Sequence, residues 1–463
     1  MKKILGAMFA SILVLALALS AAISSAGNGN DGLMGADDTD EAPVAADPEL
    51  DDWTIMAYLA GDNNLETYAL DDLDEMELIG SSETVNIIVL VDTLSLIEGT
   101  HWYVVDAVGD EIDHIDLANG SNACDCEEVV GACAEGDLNM GDGETLKDFI
   151  LTAAAYAPAE NYMLILWDHG GGWYGVCWDE SSVREEDGRV DRLTVDELGN
   201  AIREAEEEAG IRFSIIGFDA CLMSMIEVAY EVRDLADYMI SSVTGIPMAG
   251  WPYDLSFDEL IADSSLDALE LSDAIIDGYI EYYSLCAGEG LGGWMGVTLN
   301  VIDLSVIGDL ALAIDGLSYD LQEVFESGEA SRGELLSIAN ALTPALEMSG
   351  QAFAYADIGV LAEGLAGIES LEASATAVLE LMPAAVPIVE WVSQTYGGAF
   401  NTTGLTVYFP AAYYFTYLDY AYETAEEAAE NDELIYYGLD FAVDTNWDEF
   451  VLYTCPAVVE VVE

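Results

Sequence analysis

Short, almost unbroken apolar runs punctuate this chain, and the segments between most of them carry helical spacing. The runs are Thr54–Leu59, Val85–Val91, Met163–Trp167, Ile215–Phe218, Met239–Val243 and Met295–Asn300. A strand that is apolar at every position has both faces covered, which is the mark of a parallel sheet. Leu65, Leu70, Leu73 and Met76 predict a helix over 65–79, and a second follows over 145–156. Thr194 with Glu197 reads as a capping box opening a helix that Gly210 ends. Further helices are expected over 223–235 and 266–286, and a hairpin over 102–106 and 112–116 turning at Gly109-Asp110. The alternation predicts an α/β fold with helices on both faces of one mainly parallel sheet. Beyond about residue 300 the periodicity is mostly helical, apart from a strand at 404–409 closed by Pro410. The expected organisation is a leader at 1–26, an acidic linker at 27–52, a main domain at 53–300 and a mostly helical region at 301–463, although the 404–409 strand has the option of returning to the first sheet.

Two of the apolar runs end on reactive residues. Met163–Asp168 runs into His169 and then Gly170-Gly171-Gly172, and Ile215–Ala220 runs into Cys221. Ligands of open parallel sheets sit beyond the carboxyl ends of the strands. An imidazole and a thiol are therefore delivered to one edge, as a Cys/His nucleophilic enzyme requires. Cys221 is expected at a strand-to-helix turn, where helix amides favour a thiolate. The amides of Gly170 and Cys221 are candidates for an oxyanion hole. His101 and His114 lie in the hairpin and read as structural.

The charge narrows the partners. The chain carries 89 acidic and 10 basic residues, a net charge of −79. Nucleic acid is excluded, because it demands a basic footprint. Such a surface repels itself at low ionic strength, whereas in about 1 M salt the Debye length falls to about 3 Å, so a saline working medium is expected. Lys2 and Lys3 followed by an apolar stretch and Ser24-Ser25-Ala26 read as a secretory leader; a membrane is a partner only if that leader stays uncleaved as an anchor. Outside the cell the six cysteines other than Cys221 have the option of three disulfides. The cluster Cys124, Cys126 and Cys133 lacks the usual metal-ligand spacing. Asn119 and Asn401 begin glycosylation sequons.

Four stretches together carry a family likeness: Trp53–Glu66 with its Asp62-Asn63-Asn64 turn, Leu166–Trp173, Gly217–Met223 and Gly404–Pro410. In this order the chain resembles the clostripain family of cysteine peptidases, within the caspase-like clan. The resemblance implies a caspase-like αβα sandwich, a dyad of His169 and Cys221, and protein or peptide substrates cut after Arg or Lys. It places Asp219, two residues before the nucleophile, in the pocket for that basic side chain. Members often carry acids in the loop before a Gly-Trp-Pro-Tyr motif; here the loop 241–249 has none, which points to a pocket less selective for basic residues or open to another P1 residue, and Trp251 of the motif is equally a candidate pocket wall and a candidate core side chain. The chemistry requires no cofactor, while some members need calcium, which keeps that ion as a candidate. Asp137, Asn139, Asp142 and Glu144 offer oxygen ligands without an EF-hand pattern. Activation by internal cleavage is a further implication, and Arg184, Arg189 and Arg192 crowd a polar segment between His169 and Cys221. The alternative on the same residues is an exported surface or binding protein with an unused dyad. Asp62-Asn63-Asn64 itself reads as a turn and helix cap, with the ordering of nearby loops as the second reading.

Overall fold

A strand turns successive side chains to opposite faces, and in β1 (Asp51–Gly61) both faces are buried. Met56, Tyr58 and Ala60 enter one hydrophobic cluster, and Trp53, Ile55, Ala57 and Leu59 enter another. The same division runs through β2 (Val85–Thr93) and β4 (Ala159–Trp167), so the continuous apolar runs are two-sided strands. The computed structural model describes residues 50–97, 99–105, 137–184, 188–289, 296–327, 330–347, 355–392, 402–409 and 436–451. The expected leader, nearly all of the expected linker, the 106–116 part of the expected hairpin, His114, Cys124, Cys126, Cys133, Cys455 and both sequon asparagines lie outside them.

Eight strands form the central sheet. With β3 (His101–Val104), β7 (Ile215–Asp219), β8 (Tyr238–Ser241), β9 (Val297–Asp303) and β11 (Ile388–Val392), the order is β11-β9-β8-β7-β4-β1-β2-β3. The five strands from β8 to β2 run parallel, and β3, β9 and β11 join antiparallel at the edges. Helices α1 (Glu66–Ile79) and α5 (Ala268–Glu289) cover one face. Helices α2 (Gly143–Tyr156), α3 (Val195–Ala209), α4 (Ile226–Val232), α6 (Leu304–Glu326) and α7 (Glu372–Ala385) cover the other. The expected αβα sandwich is what forms. Among the described residues no helix is long and apolar enough to cross a membrane.

Several expectations shift. Strand β1 starts at Asp51 and not at Trp53, because backbone bonds within the sheet take in two polar residues of the stretch expected to be linker. Position 300 lies inside β9, and Leu50–Glu463 cluster as one compact unit, so the region beyond 300 completes the sheet through β11. The 404–409 segment does not return to that sheet: β12 (Thr406–Tyr408) pairs with β10 (Tyr355–Asp357) and bridges to Met225. Cys177 and Cys286 are free thiols, so three disulfides among the remaining six cysteines are ruled out. The capping box of Thr194 and Glu197 is present, with Gly210 in the left-handed conformation after α3.

Candidate active site

Strands β4 and β7 are paired so that Trp167 stands opposite Asp219. His169 and Cys221 each follow two residues later. The register thus brings both to the same level on neighbouring strand ends, and Asp168 N–H donating to Asp219 O at 3.3 Å extends the pairing toward them. Contact at this level is tight. A Cβ built on Gly170 would lie 2.1 Å from Cys221 O and 2.8 Å from Cys221 N, so only glycine lets the chain after the histidine touch the nucleophile's backbone.

The thiol lies under the loop after β8. Ile246 N–H donates to Cys221 Sγ at 3.3 Å, and Sγ is 3.6 Å from Ile246 O. Burial raises the thiol above its ordinary value, opposed by hydrogen bonds from the Ile246 and Gly170 amides. The helix expected from residue 223 begins only at Ile226, so Cys221 is not at a helix N-terminus. Leu222 instead takes a φ of +68°, a left-handed conformation costly for a branched side chain. It is held there by Leu222 N–H to Thr244 O (2.9 Å) and Ser224 N–H to Ser242 O (3.0 Å). The C-terminal region braces the same turn, with Ser224 Oγ donating to Gly404 O at 2.6 Å.

His169 is half-buried, its Nε2 is 3.0 Å from Asn64 Oδ1, and burial lowers its pKa. Next to it, the buried Asp168 carboxylate accepts from Asn63 Nδ2 at 2.7 Å and from Trp178 N–H at 2.5 Å. Burial nonetheless pushes Asp168 well above the usual carboxylate range. Asn63 also reaches Ala60 O and Trp178 O. The Asp62-Asn63-Asn64 turn therefore orders the histidine loop, and its Asn63 also closes a local turn by accepting from Leu65 N–H at 2.8 Å. Sequence reasoning did not single out Asp168, which sits inside the motif it used.

Asp219 points to the α1 face. Its Oδ2 accepts from Trp251 N–H at 2.8 Å and Tyr253 O–H at 3.0 Å, while its buried Oδ1 has no partner. Trp251 is fully buried, and a Cβ on Gly217 would lie 2.8 Å from its ring. The indole is a core side chain and not the wall of an open pocket; what Trp251 gives Asp219 is a backbone N–H. A second carboxylate converges from α1. Asp72 Oδ2 accepts from Trp167 Nε1 at 2.5 Å. Between the acids lies Gly250 (φ +57°), whose missing Cβ would be 2.7 Å from Oδ2 of both Asp219 and Asp72. Glu75 Oε2 accepts from Tyr253 N–H at 3.0 Å. Burial holds Asp219 and Glu75 at about 7, and burial together with the Asp219 charge raises Asp72. Asp72 was legible as an oddity: it shares the buried stripe of α1 with Ala69, Leu73 and Met76, where an acid is expensive.

The clostripain family model matches residues 57–453. The chain belongs to the clostripain family. The clostripain of Hathewaya histolytica is 31% identical over 231 residues, covering 45% of this chain and 42% of that protein. The chain thus spans about two-fifths of the length of that curated relative. A secreted cysteine protease of Bacteroides thetaiotaomicron, solved with an irreversible peptide inhibitor, shares the fold at a TM-score of 0.57 and 20% identity, over 86% of this chain and 99% of that one. An inactive zymogen protease of Parabacteroides distasonis is similar at 0.56 and 20%, over the same shares. Cysteine proteases of this family need no cofactor for catalysis.

Between the two motifs of this family member lies a two-stranded sheet, β5 (Val176–Val183) with β6 (Val190–Leu193). Arg189 is exposed and Arg184 half-buried at its tip, joined by Arg184 N–H to Arg189 O at 2.9 Å. Arg192 is not in an exposed loop. It is 1% exposed, its guanidinium lies 3.6 Å over the Tyr174 ring, and its Nε donates to Tyr174 O at 2.7 Å. The stacking and the strand pairing remove Arg192 as an accessible cleavage point in this folded form.

Proposed function

We propose that the chain is a secreted cysteine endopeptidase in which Cys221 is the nucleophile and His169 the proton carrier. The reading rests on one observation: the β4–β7 register sets both residues at one level of the sheet edge, with the Gly170 amide against the thiol. In the proposed reaction His169 takes the thiol proton, Sγ adds to the scissile carbonyl, and the amides of Gly170 and Cys221 receive the oxyanion. The proton then passes to the leaving amine as the C–N bond breaks, and water hydrolyses the thioester. The resting thiol is raised and the resting imidazole lowered, so both start neutral and the transfer belongs to the step with substrate bound.

In this reading the P1 residue is Arg or Lys. The loop 241–249 has no acid, but Asp219 and Asp72 supply two carboxylates across Gly250, and Asp219 Oδ1 is without a partner. The unpartnered Oδ1 of Asp219 is the acceptor offered to a cationic side chain, with the Asp72 charge nearby, and a guanidinium gives it a charge-assisted hydrogen bond. Activation by self-cleavage, which the family likeness implies, is assigned in this reading to Arg184 or Arg189, and their place at the open end of the β5–β6 hairpin supports it. The hairpin is tied to the histidine loop through Trp178 N–H on Asp168 and Trp178 O on Asn63. Cutting the tip would loosen that tie.

A thiol-reactive peptide with Arg at P1, offered at low and high salt, is the test. Labelling abolished by Cys221→Ala but kept in a surface-cysteine control supports the enzyme. Absence of labelling at every salt concentration, with the protein folded, would return the chain to a binding role. Replacing P1 Arg by a neutral isostere should cost at least about 30-fold in kcat/KM, the low end for stranding a buried charge pair; equal rates would remove Asp219 and Asp72 from the pocket.

A further inference from the structure

A pocket of about 180 Å³ lies beside the loop whose Ile246 meets the Cys221 thiol. Its walls come from four parts of the fold. Tyr68 belongs to α1, Tyr282 and Cys286 to α5 and Met248 to the loop, while Val297 begins β9 and Val392 ends β11. Val297 and Val392 pair with each other beyond the end of β8, which places the pocket at the carboxyl edge of the parallel strands. Among the described residues that line it none is charged, in a chain with 89 acids.

The pocket shares its edge with the catalytic site. Pro247 to Ala249 line it, and the next residue is Gly250, which is pressed against Asp219 and Asp72. Tyr283, from the α5 wall, donates to Gly250 O at 2.8 Å, and Gly250 N–H donates to Pro247 O at 2.9 Å. One short turn thus borders both places. The sheet order supplies a direction. His169 follows β4 and Cys221 follows β7, and the order continues to β8, β9 and β11. The imidazole passes its proton to the leaving amine, so the substrate beyond the scissile bond lies toward β4. The acyl part held on Cys221 extends the opposite way, toward β8 and β9, where the pocket lies.

We propose that this pocket is a second substrate subsite, which takes one large apolar side chain (Leu, Met or Phe) from a residue preceding P1. The subsite rests on the peptidase reading above. Its size fits one such side chain, since a cavity of about 150 Å³ lined by aliphatic and aromatic groups holds a benzene ring. Met248 brings a flexible thioether that moulds to guests of different shape and favours aromatic ones. Tyr282 and Cys286, one helical turn apart, are hydrogen-bonded to each other, so the polar ends of that wall satisfy one another and ask for no polar partner from the guest.

The test uses fluorogenic peptides with Arg at P1, in about 1 M KCl to screen the acidic surface. Positions P2, P3 and P4 are varied one at a time among Ala, Leu, Phe and Asp. At one of them Leu or Phe should exceed Ala in kcat/KM by at least about tenfold, the low end for an apolar pocket. In Cys286→Phe, whose ring would fill the pocket, and in Met248→Ser the ratio should fall toward one. A ratio taken on one sample does not depend on how much of a variant is folded. In the full chain carrying Cys221→Ala, the peptide with the preferred residue should slow alkylation of the free Cys286 thiol by N-ethylmaleimide, read by mass spectrometry, more than its Ala counterpart does. Cleavage with equal kcat/KM for Ala, Leu and Phe at all three positions, a preference that Cys286→Phe leaves unchanged, or equal alkylation rates would overturn the subsite alone. No cleavage of any peptide, together with no labelling of Cys221 by the P1 Arg probe, would overturn the peptidase reading and the subsite with it.

Discussion

Gly170→Ala is the sharpest probe of the arrangement around Cys221. The added methyl carbon would lie 2.1 Å from Cys221 O, 2.8 Å from its N and 3.0 Å from its carbonyl carbon. All three are backbone atoms, so no rotamer change relieves the contact. Reaching an ordinary separation of 3.4 Å needs a displacement of at least 3.4 − 2.1 = 1.3 Å between the two segments. A misplacement of about 1 Å at reacting groups costs about 10²-fold, and losing one oxyanion donor costs about 10²–10³-fold. kcat/KM should therefore fall at least about 100-fold, about 2.7 kcal/mol of transition-state stabilisation. Overpacking should also lower stability by about 1–3 kcal/mol, small enough for folded protein to be assayed. The control is Gly171→Ala, whose methyl meets its nearest atom at 3.2 Å on the Trp178 ring, a side chain able to give way. Fluorogenic hydrolysis, with active-site titration and circular dichroism on the same samples, reads the result. Activity of Gly170→Ala within threefold of the parent, with an unchanged fold, would refute the close approach of His169's loop to the nucleophile and with it the oxyanion role of Gly170.

Asp219 and Glu75 sit at about 7 in the folded protein and near 4 when unfolded. Between those values the folded state holds protons that the unfolded state has released, so stability falls as pH rises across that window. Urea midpoints should be lower at pH 8 than at pH 5, and Asp219→Asn should reduce the difference; an identical drop in the variant would deny Asp219 its buried, protonated state. Replacing Arg184 and Arg189 together by Gln should block self-cleavage and its two fragments on a denaturing gel, whereas Arg192→Gln should leave the cleavage site intact and lower the melting temperature through the lost Tyr174 stacking. Unchanged fragments from the double variant would move the cleavage elsewhere.

Periodicity and turn chemistry carried much of the fold. Runs such as Val85–Val91 are apolar at every position because both faces are covered, and that is a local pattern a sequence displays. The capping box at Thr194 was legible for the same reason, since its partners lie three residues apart. The positions of His169 and Cys221 at strand ends were also written locally, by apolar runs stopping at reactive residues. What depended on distant partners was not. The seven residues of α4 begin late because Leu222 and Ser224 bond to the 242–244 loop, a contact no local propensity encodes. Trp251 reads from sequence as well for a pocket as for a core, and only the packing of its ring on Gly217 decided.

Charge shows the division most plainly. In a chain with 89 acids, sequence cannot say which carboxylates are solvated and which are driven together. Asp72, from a helix, meets Asp219, from a strand end, across Gly250. Asp62, Asp92 and Asp137 meet where two strand ends and a later loop converge. By itself the sequence determined which residue types reach the carboxyl edge of the sheet, because strand length and period are local properties. Only the tertiary structure decided which of them face one another, because a carboxylate's energy depends on burial and on the charge beside it, and both are set by neighbours far away in the chain.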